Sequence, residues 1–191
     1  MRMMFAAIVA ALLAAPMPLA AQQSNETNQA AEPNMAAEPE QPAEPEVDIT
    51  RNGDWEVACQ DVERDGSTQN LCEMRQVLVQ KDTDQEWLRI AISYAQGADQ
   101  PVLRIFTPLG VLLQPGMKLR VDGSEPISMQ YAVCLARPQR CLVAGPMDNK
   151  LIELMKRGIE GQITFVLPNN REINAPFSLA GFTKSLASLP K

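Results

Sequence analysis

The 191-residue chain contains no histidine. The one side chain whose ordinary pKa lies near neutrality is therefore missing. That excludes a Ser-His-Asp triad, a Cys-His dyad and every zinc site with a histidine ligand, and it removes the commonest general base. Aromatic residues are few, with 2 Trp, 2 Tyr and 5 Phe. An outer-membrane barrel needs aromatic girdles and apolar lipid-facing strands, and candidate strands here carry Arg75, Arg89 and Arg104 among apolar neighbours. The longest apolar run, from Met3, is about 13 residues long and stops at Pro16, short of the roughly 20 that a transmembrane helix requires. Neither Gly-x-Gly-x-x-Gly nor a phosphate loop is present, so no nucleotide cofactor is expected.

A basic surplus is absent too. The formal charge is -6, from 17 Lys and Arg against 23 Asp and Glu. Seven of the acids, Glu26, Glu32, Glu38, Glu40, Glu44, Glu46 and Asp48, lie in residues 22–50, which hold no basic residue. With those acids and Arg2 set aside, the rest of the chain is formally neutral. Binding of nucleic acid or of an anionic membrane is thus not expected, because both rely on clustered Lys and Arg.

What is present begins with a leader. Arg2, an apolar stretch through Ala15, and the small residues of Leu19-Ala20-Ala21 match the three parts of a secretory signal peptide, with cleavage expected after Ala21. The mature protein is then periplasmic or secreted, with no transmembrane segment. Residues 22–50 repeat Ala-Glu-Pro at 31–33, 37–39 and 43–45 and have almost no large apolar side chain before Val47. Such a stretch buries too little surface to offset its ordering entropy, and it reads as a disordered acidic spacer. Residues 51–191 are left as one domain of ordinary size.

That domain is a series of short alternating runs split by turn residues. Trp55, Val57 and Cys59 alternate, and further runs cover 71–79, 87–94, 102–107, 117–121, 127–134, 141–143, 162–167 and 172–179. Turn signals stand at Gly66, Gly97, Pro115-Gly116, Asp122-Gly123 and Pro168-Asn169-Asn170. One interval has helical spacing: Asp148 as cap, Leu151, Ile152, Leu154 and Met155 on one side, Lys156 and Arg157 near the end, and Gly158 as stop. The tail from Gly181 to Leu189 suits a last helical turn. The expectation is an all-β sandwich of about nine strands with one short helix.

Four cysteines, Cys59, Cys72, Cys134 and Cys141, allow three pairings. The local pairing, Cys59 with Cys72 and Cys134 with Cys141, is expected because each bridge would close a turn between neighbouring strands. Neither spacing is Cys-x-x-Cys, and an all-thiolate metal site would compete with oxidation in an exporting compartment. No metal or cofactor site is therefore expected.

Other candidates are weak. Asp82-Thr83-Asp84-Gln85-Glu86 opens like a calcium loop, but Trp87 takes the place of the required glycine and Ser93 that of the closing glutamate. Ser188-Leu189-Pro190-Lys191 has Ser-x-x-Lys spacing without the accompanying motifs of such enzymes. The Leu103–Leu113 stretch is either core or an exposed patch. Glu73, Asp122, Asp148 and Glu172 are available for carboxylate chemistry on a polysaccharide, but no spacing singles out a pair.

Several segments in order resemble the invasion-associated locus B family of exported bacterial proteins. They are Trp55-x-x-x-Cys59, Cys72-Glu73-Met74, Leu109-Gly110-Val111-x-Leu113-x-Pro115-Gly116, Val121-Asp122-Gly123, Cys134 and Cys141, and Ser178-Leu179-Ala180-Gly181-Phe182. The resemblance spans residues 54–189. It implies an immunoglobulin-like sandwich, export to the envelope or beyond, and a role named for host-cell invasion and virulence. With the absences above, it leads to the expectation of a non-enzymatic module that binds an envelope or host protein. A structural or chaperone-like protein that adds a strand at a sheet edge, and a carboxylate-dependent hydrolase, are the alternatives.

Overall fold

Asp65-Gly66 and the other turn signals divide the chain as the alternation requires. The computed structural model describes residues 46–191; the leader at 1–21 and the spacer from 22 to 45 lie outside the described residues. The strands are β1 (Val47–Asn52), β2 (Trp55–Arg64), β3 (Ser67–Val79), β4 (Glu86–Tyr94), β5 (Pro101–Pro108), β6 (Met117–Val121), β7 (Ile127–Met129), β8 (Tyr131–Leu135), β9 (Arg140–Pro146), β10 (Glu160–Val166) and β11 (Glu172–Ser178). The helices are α1 (Asn149–Arg157) and α2 (Phe182–Ala187). All pairings are antiparallel. One sheet runs β1-β2-β3-β4-β5-β9-β8 and the other β11-β10-β6-β7. The result is the expected sandwich of two facing sheets.

Turn chemistry sets the registers. Arg64 pairs with Ser67 across Asp65 and Gly66, which both have positive φ, 52° and 75°. This is the type I′ geometry that matches the twist of a hairpin. Asp122 and Asn170 also sit at positive φ, 46° and 59°, in the turns marked by Asp-Gly and Pro-Asn-Asn. In α1, the Asp148 carboxylate accepts from the Leu151 N–H at 2.7 Å, and the Gly158 N–H closes on the Leu154 carbonyl. Leu151 and Met155 point inward from that helix.

The core lies between the sheets. Met74, Ile90, Leu103, Ile105 and Val143 come from the large sheet, and Leu119, Ile163, Phe165 and Ala175 from the small one. Each large side chain stabilises the fold by about 1.5–3 kcal/mol relative to exposure. Trp55 seals one end: its indole N–H donates to the Ser178 carbonyl at 2.9 Å, and its ring meets Phe182 edge-on at 5.4 Å.

Two differences from the sequence expectation stand out. The first strand begins at Val47, inside the segment read as spacer, because Val47, Ile49 and Arg51 continue the alternation and pair with Gln60, Ala58 and Glu56. The run 127–134 is two strands rather than one. β7 pairs with β6 in the small sheet and β8 pairs with β9 in the large one, so the chain changes sheets at Gln130. With both, the described residues hold eleven strands, and α2 makes the tail turn a second helix.

Candidate functional site

The cysteines form two disulfides, Cys59–Cys72 and Cys134–Cys141, with no free thiol among the described residues. Each joins residues directly opposite in a ladder, β2 to β3 and β8 to β9. The four carboxylates are not brought together. Asp122 accepts the backbone N–H of Ile159 and Glu160, Asp148 caps α1, and Glu73 stands 3.7 Å from the Arg75 guanidinium. Glu172 pairs with Val166 at the far end of β10 from Glu160, about 20 Å from Asp122 at the rise of a strand. Asp82–Glu86 spans the β3–β4 turn and the start of β4, and no group of three or more potential metal-ligating His, Cys, Asp or Glu occurs among the described residues.

Of the Leu103–Leu113 stretch, Leu103, Ile105 and Val111 are buried, while Leu109 and Leu113 are exposed in the loop after β5. A larger apolar surface lies elsewhere, on the outer face of the seven-stranded sheet. There, Val47, Ile49, Leu71, Val77 and Val133 are all exposed. Register places them on one face: Ile49 pairs with Ala58, Val47 and Leu71 with Gln60, and Val77 with Arg89, which continues through Phe106 and Leu142 to Val133. The outer face of the small sheet is different in kind. It displays Lys118, Arg120, Gln162, Thr164 and Asn174, and no exposed large apolar residue lies on β6, β10 or β11.

Charges cross the middle of the apolar face in a row. Arg51, Glu56, Arg75, Ala91, Arg104 and Ala144 are successive cross-strand partners. Arg75 Nε donates to Glu56 Oε1 at 2.6 Å, and Arg51 Nε lies 3.7 Å from Glu56 Oε2. Arg104 is held differently, its Nη1 donating to Ser93 Oγ at 2.6 Å. Between Arg75 and Arg104, Ala91 is fully covered. Beside this row, a shallow trough of about 670 Å³ is lined by Ala58, Leu71, Glu73, Arg75 and Arg104, with Val47 at its β1 side.

Of the segments quoted for the family resemblance, Cys72-Glu73 lines this trough, and the glycine-bearing ones support the fold. Gly181 has φ 92°, and a Cβ there would lie 1.8 Å from the Asn52 carbonyl oxygen. Gly116, at φ 67°, approaches the Met129 carbonyl in the same way. Ser178, Gly181 and Phe182 all meet the Trp55 end of the sandwich. A family model described as invasion associated locus B (IalB) protein matches residues 55–190. The chain belongs to the IalB family. A similar solved structure is the invasion associated protein B of Bartonella henselae, 20% identical, covering 73% of this chain and 92% of that one with a TM-score of 0.60. No curated protein matches the chain.

At that identity the likeness shows the fold alone. In this IalB-family domain, sequence reading took Arg75, Arg89 and Arg104 only as charges unsuited to a lipid-facing strand. It did not assemble them with Leu71, Val77 and Phe106 into one face. The available signal is in β3, where Leu71 and Val77 are apolar in the phase opposite to the core residue Met74 and to Leu78, which packs against the core. Tyr131, at the start of β8, is half-buried. Desolvation raises its phenol above the ordinary 10.0, opposed by the hydrogen bond from Thr107.

Proposed function

We propose that this IalB-family chain is an exported, non-enzymatic binding protein that holds an envelope or host protein against the outer face of its seven-stranded sheet. The observation that carries this reading is the contrast between the two outer faces. The large sheet presents exposed apolar side chains on both sides of a row of charge, Val47, Ile49 and Leu71 on one side and Val77 and Val133 on the other, and such a mixed surface has the character of a protein-interaction site. The leader and two disulfides support work outside the cytoplasm, in the periplasm or beyond it. The chain has no histidine, and of the carboxylates weighed for hydrolysis Asp148 caps a helix, Asp122 accepts backbone N–H groups, Glu73 faces Arg75, and Glu172 stands apart at the far end of β10.

The test is cross-linking in the native cells, followed by mass spectrometry of what co-purifies, with Leu71→Asp and Val77→Asp beside the wild type. A reproducible partner that both variants lose is the expected outcome. Retention by both variants at wild-type yield would remove this face from the account. A chain lacking residues 22–45, which leaves β1 intact, reports whether the acidic segment contributes.

Strand addition at a sheet edge is a second reading, and β8 favours it. Tyr131–Leu135 is an edge strand with no charge or proline, and Ala132, Val133 and Cys134 are exposed. Such an edge accepts a partner strand through its backbone. Ala132→Pro would abolish capture by that route and leave capture on the sheet face unchanged.

A further inference from the structure

We propose that the trough on the outer face of the large sheet receives an acidic, extended segment of the partner protein, with the Arg104 guanidinium taking one of its carboxylates. This rests on the reading of that face as a docking surface and names the chemistry of what docks.

The argument is charge complementarity at a built place. Arg51 and Arg75 share Glu56, and Arg75 also faces Glu73 at 3.7 Å. Arg64 and Arg104 also line the trough, and neither has a carboxylate within ion-pair distance among the described residues. The guanidiniums of Arg64, Arg75 and Arg104 thus line the trough against one lining carboxylate side chain, Glu73, a local surplus of positive charge. Arg104 lies on β5, in the interior of the sheet rather than at its edge. The Ser93 hydroxyl accepts from one arm of its fork at 2.6 Å, while Nε and Nη2 make no hydrogen bond among the described residues. The open Nε–Nη2 edge of the fork suits bidentate recognition of a carboxylate. The small side chains Ala58 and Ser93 beside it let a chain lie close to the sheet, and Val47 and Leu71 offer apolar contact at its flank. An extended segment alternating acidic and apolar residues presents both to this surface.

The test uses the chain from residue 22 onward and fluorescence anisotropy with a labelled twelve-residue peptide alternating glutamate with valine and threonine. Its counterpart carries lysine for glutamate. The acidic peptide should bind, weakening at least about tenfold between 0.1 and 1 M salt as the screening length falls from about 10 to 3 Å. Arg104→Gln should weaken it by about tenfold, as expected for a lost charged hydrogen bond. Arg64→Gln, on the exposed hairpin, should weaken it in the same direction, and Arg120→Gln on the opposite sheet should leave it unchanged. Equal binding of the lysine peptide, or wild-type affinity in Arg104→Gln, would overturn the proposal. So would equally tight binding of alginate, which would make the ligand a polysaccharide. Binding that shows only after residues 22–45 are removed would overturn the assignment to a second protein. If native capture is lost in Leu71→Asp but kept in Arg104→Gln, the docking face stands and the acidic partner does not.

Discussion

Gln76 is a buried polar side chain that ties the two sheets together. Its Oε1 accepts the Ser178 N–H at 3.0 Å, and its Nε2 donates to the carbonyls of Asp54 at 3.0 Å and Ser178 at 3.1 Å. The side chain on β3 thus holds the end of β11 against the start of β2, beside the Trp55 indole. Gln76→Leu keeps the approximate volume and removes all three bonds. At about 1 kcal/mol net per bond the loss is roughly 3 kcal/mol, and the Ser178 N–H is left without its acceptor. The assay is equilibrium unfolding in urea with disulfides intact, where a lower midpoint at unchanged slope reports stability alone. Gln60→Leu, on the outer face, is the control and should stay within about 0.5 kcal/mol of the wild type. A Gln76→Leu loss no larger than that of the control would refute the view that this residue joins the sheets.

Replacing both cysteines of Cys59–Cys72 with alanine should cost about 3 kcal/mol, and of Cys134–Cys141 about 2.5, in keeping with the lengths of the loops they close. Thermal melting should show either change to exceed Glu172→Gln, and equal melting temperatures would contradict it. A methyl group at Gly161 would fall 2.0 Å from the Phe177 ring, so Gly161→Ala should destabilise by about 1–3 kcal/mol of overpacking; urea midpoints measure this. For Tyr131, burial raises the phenol, so the folded state holds this proton more tightly than the unfolded one. The associated stability is complete below about pH 10 and is lost as pH rises through the higher folded value. Melting followed from pH 9 to 11.5 should fall less steeply in Tyr131→Phe than in the wild type, and parallel curves would show that Tyr131 is not responsible.

Much of this architecture is legible in the residues. Period-two alternation from Trp55 onward, glycine and asparagine at turns that need positive φ, and the Asp148 to Gly158 caps are local signals, each acting within a few residues of itself. The disulfide pairing is legible for the same reason, since spacings of 13 and 7 close hairpins. The switch of sheets at Gln130 is not, because β7 and β8 continue one alternation and only their neighbours, β6 and β9, distinguish them. β1 was hidden by its acidic, proline-rich approach; its exposed side chains gain order from backbone pairing with β2.

By itself, the sequence determined which residues alternate, where the chain turns, and which chemistries a chain without histidine excludes. Tertiary structure decided which phase of each strand faces the core. That choice turns Leu71, Val77 and Phe106 outward together with Arg75 and Arg104, because a strand gives its side chains two faces and only packing against a second sheet buries one of them. The candidate site exists only once β1 through β5, β8 and β9 lie side by side, since the residues that compose it are separated in sequence and become neighbours through backbone hydrogen bonds.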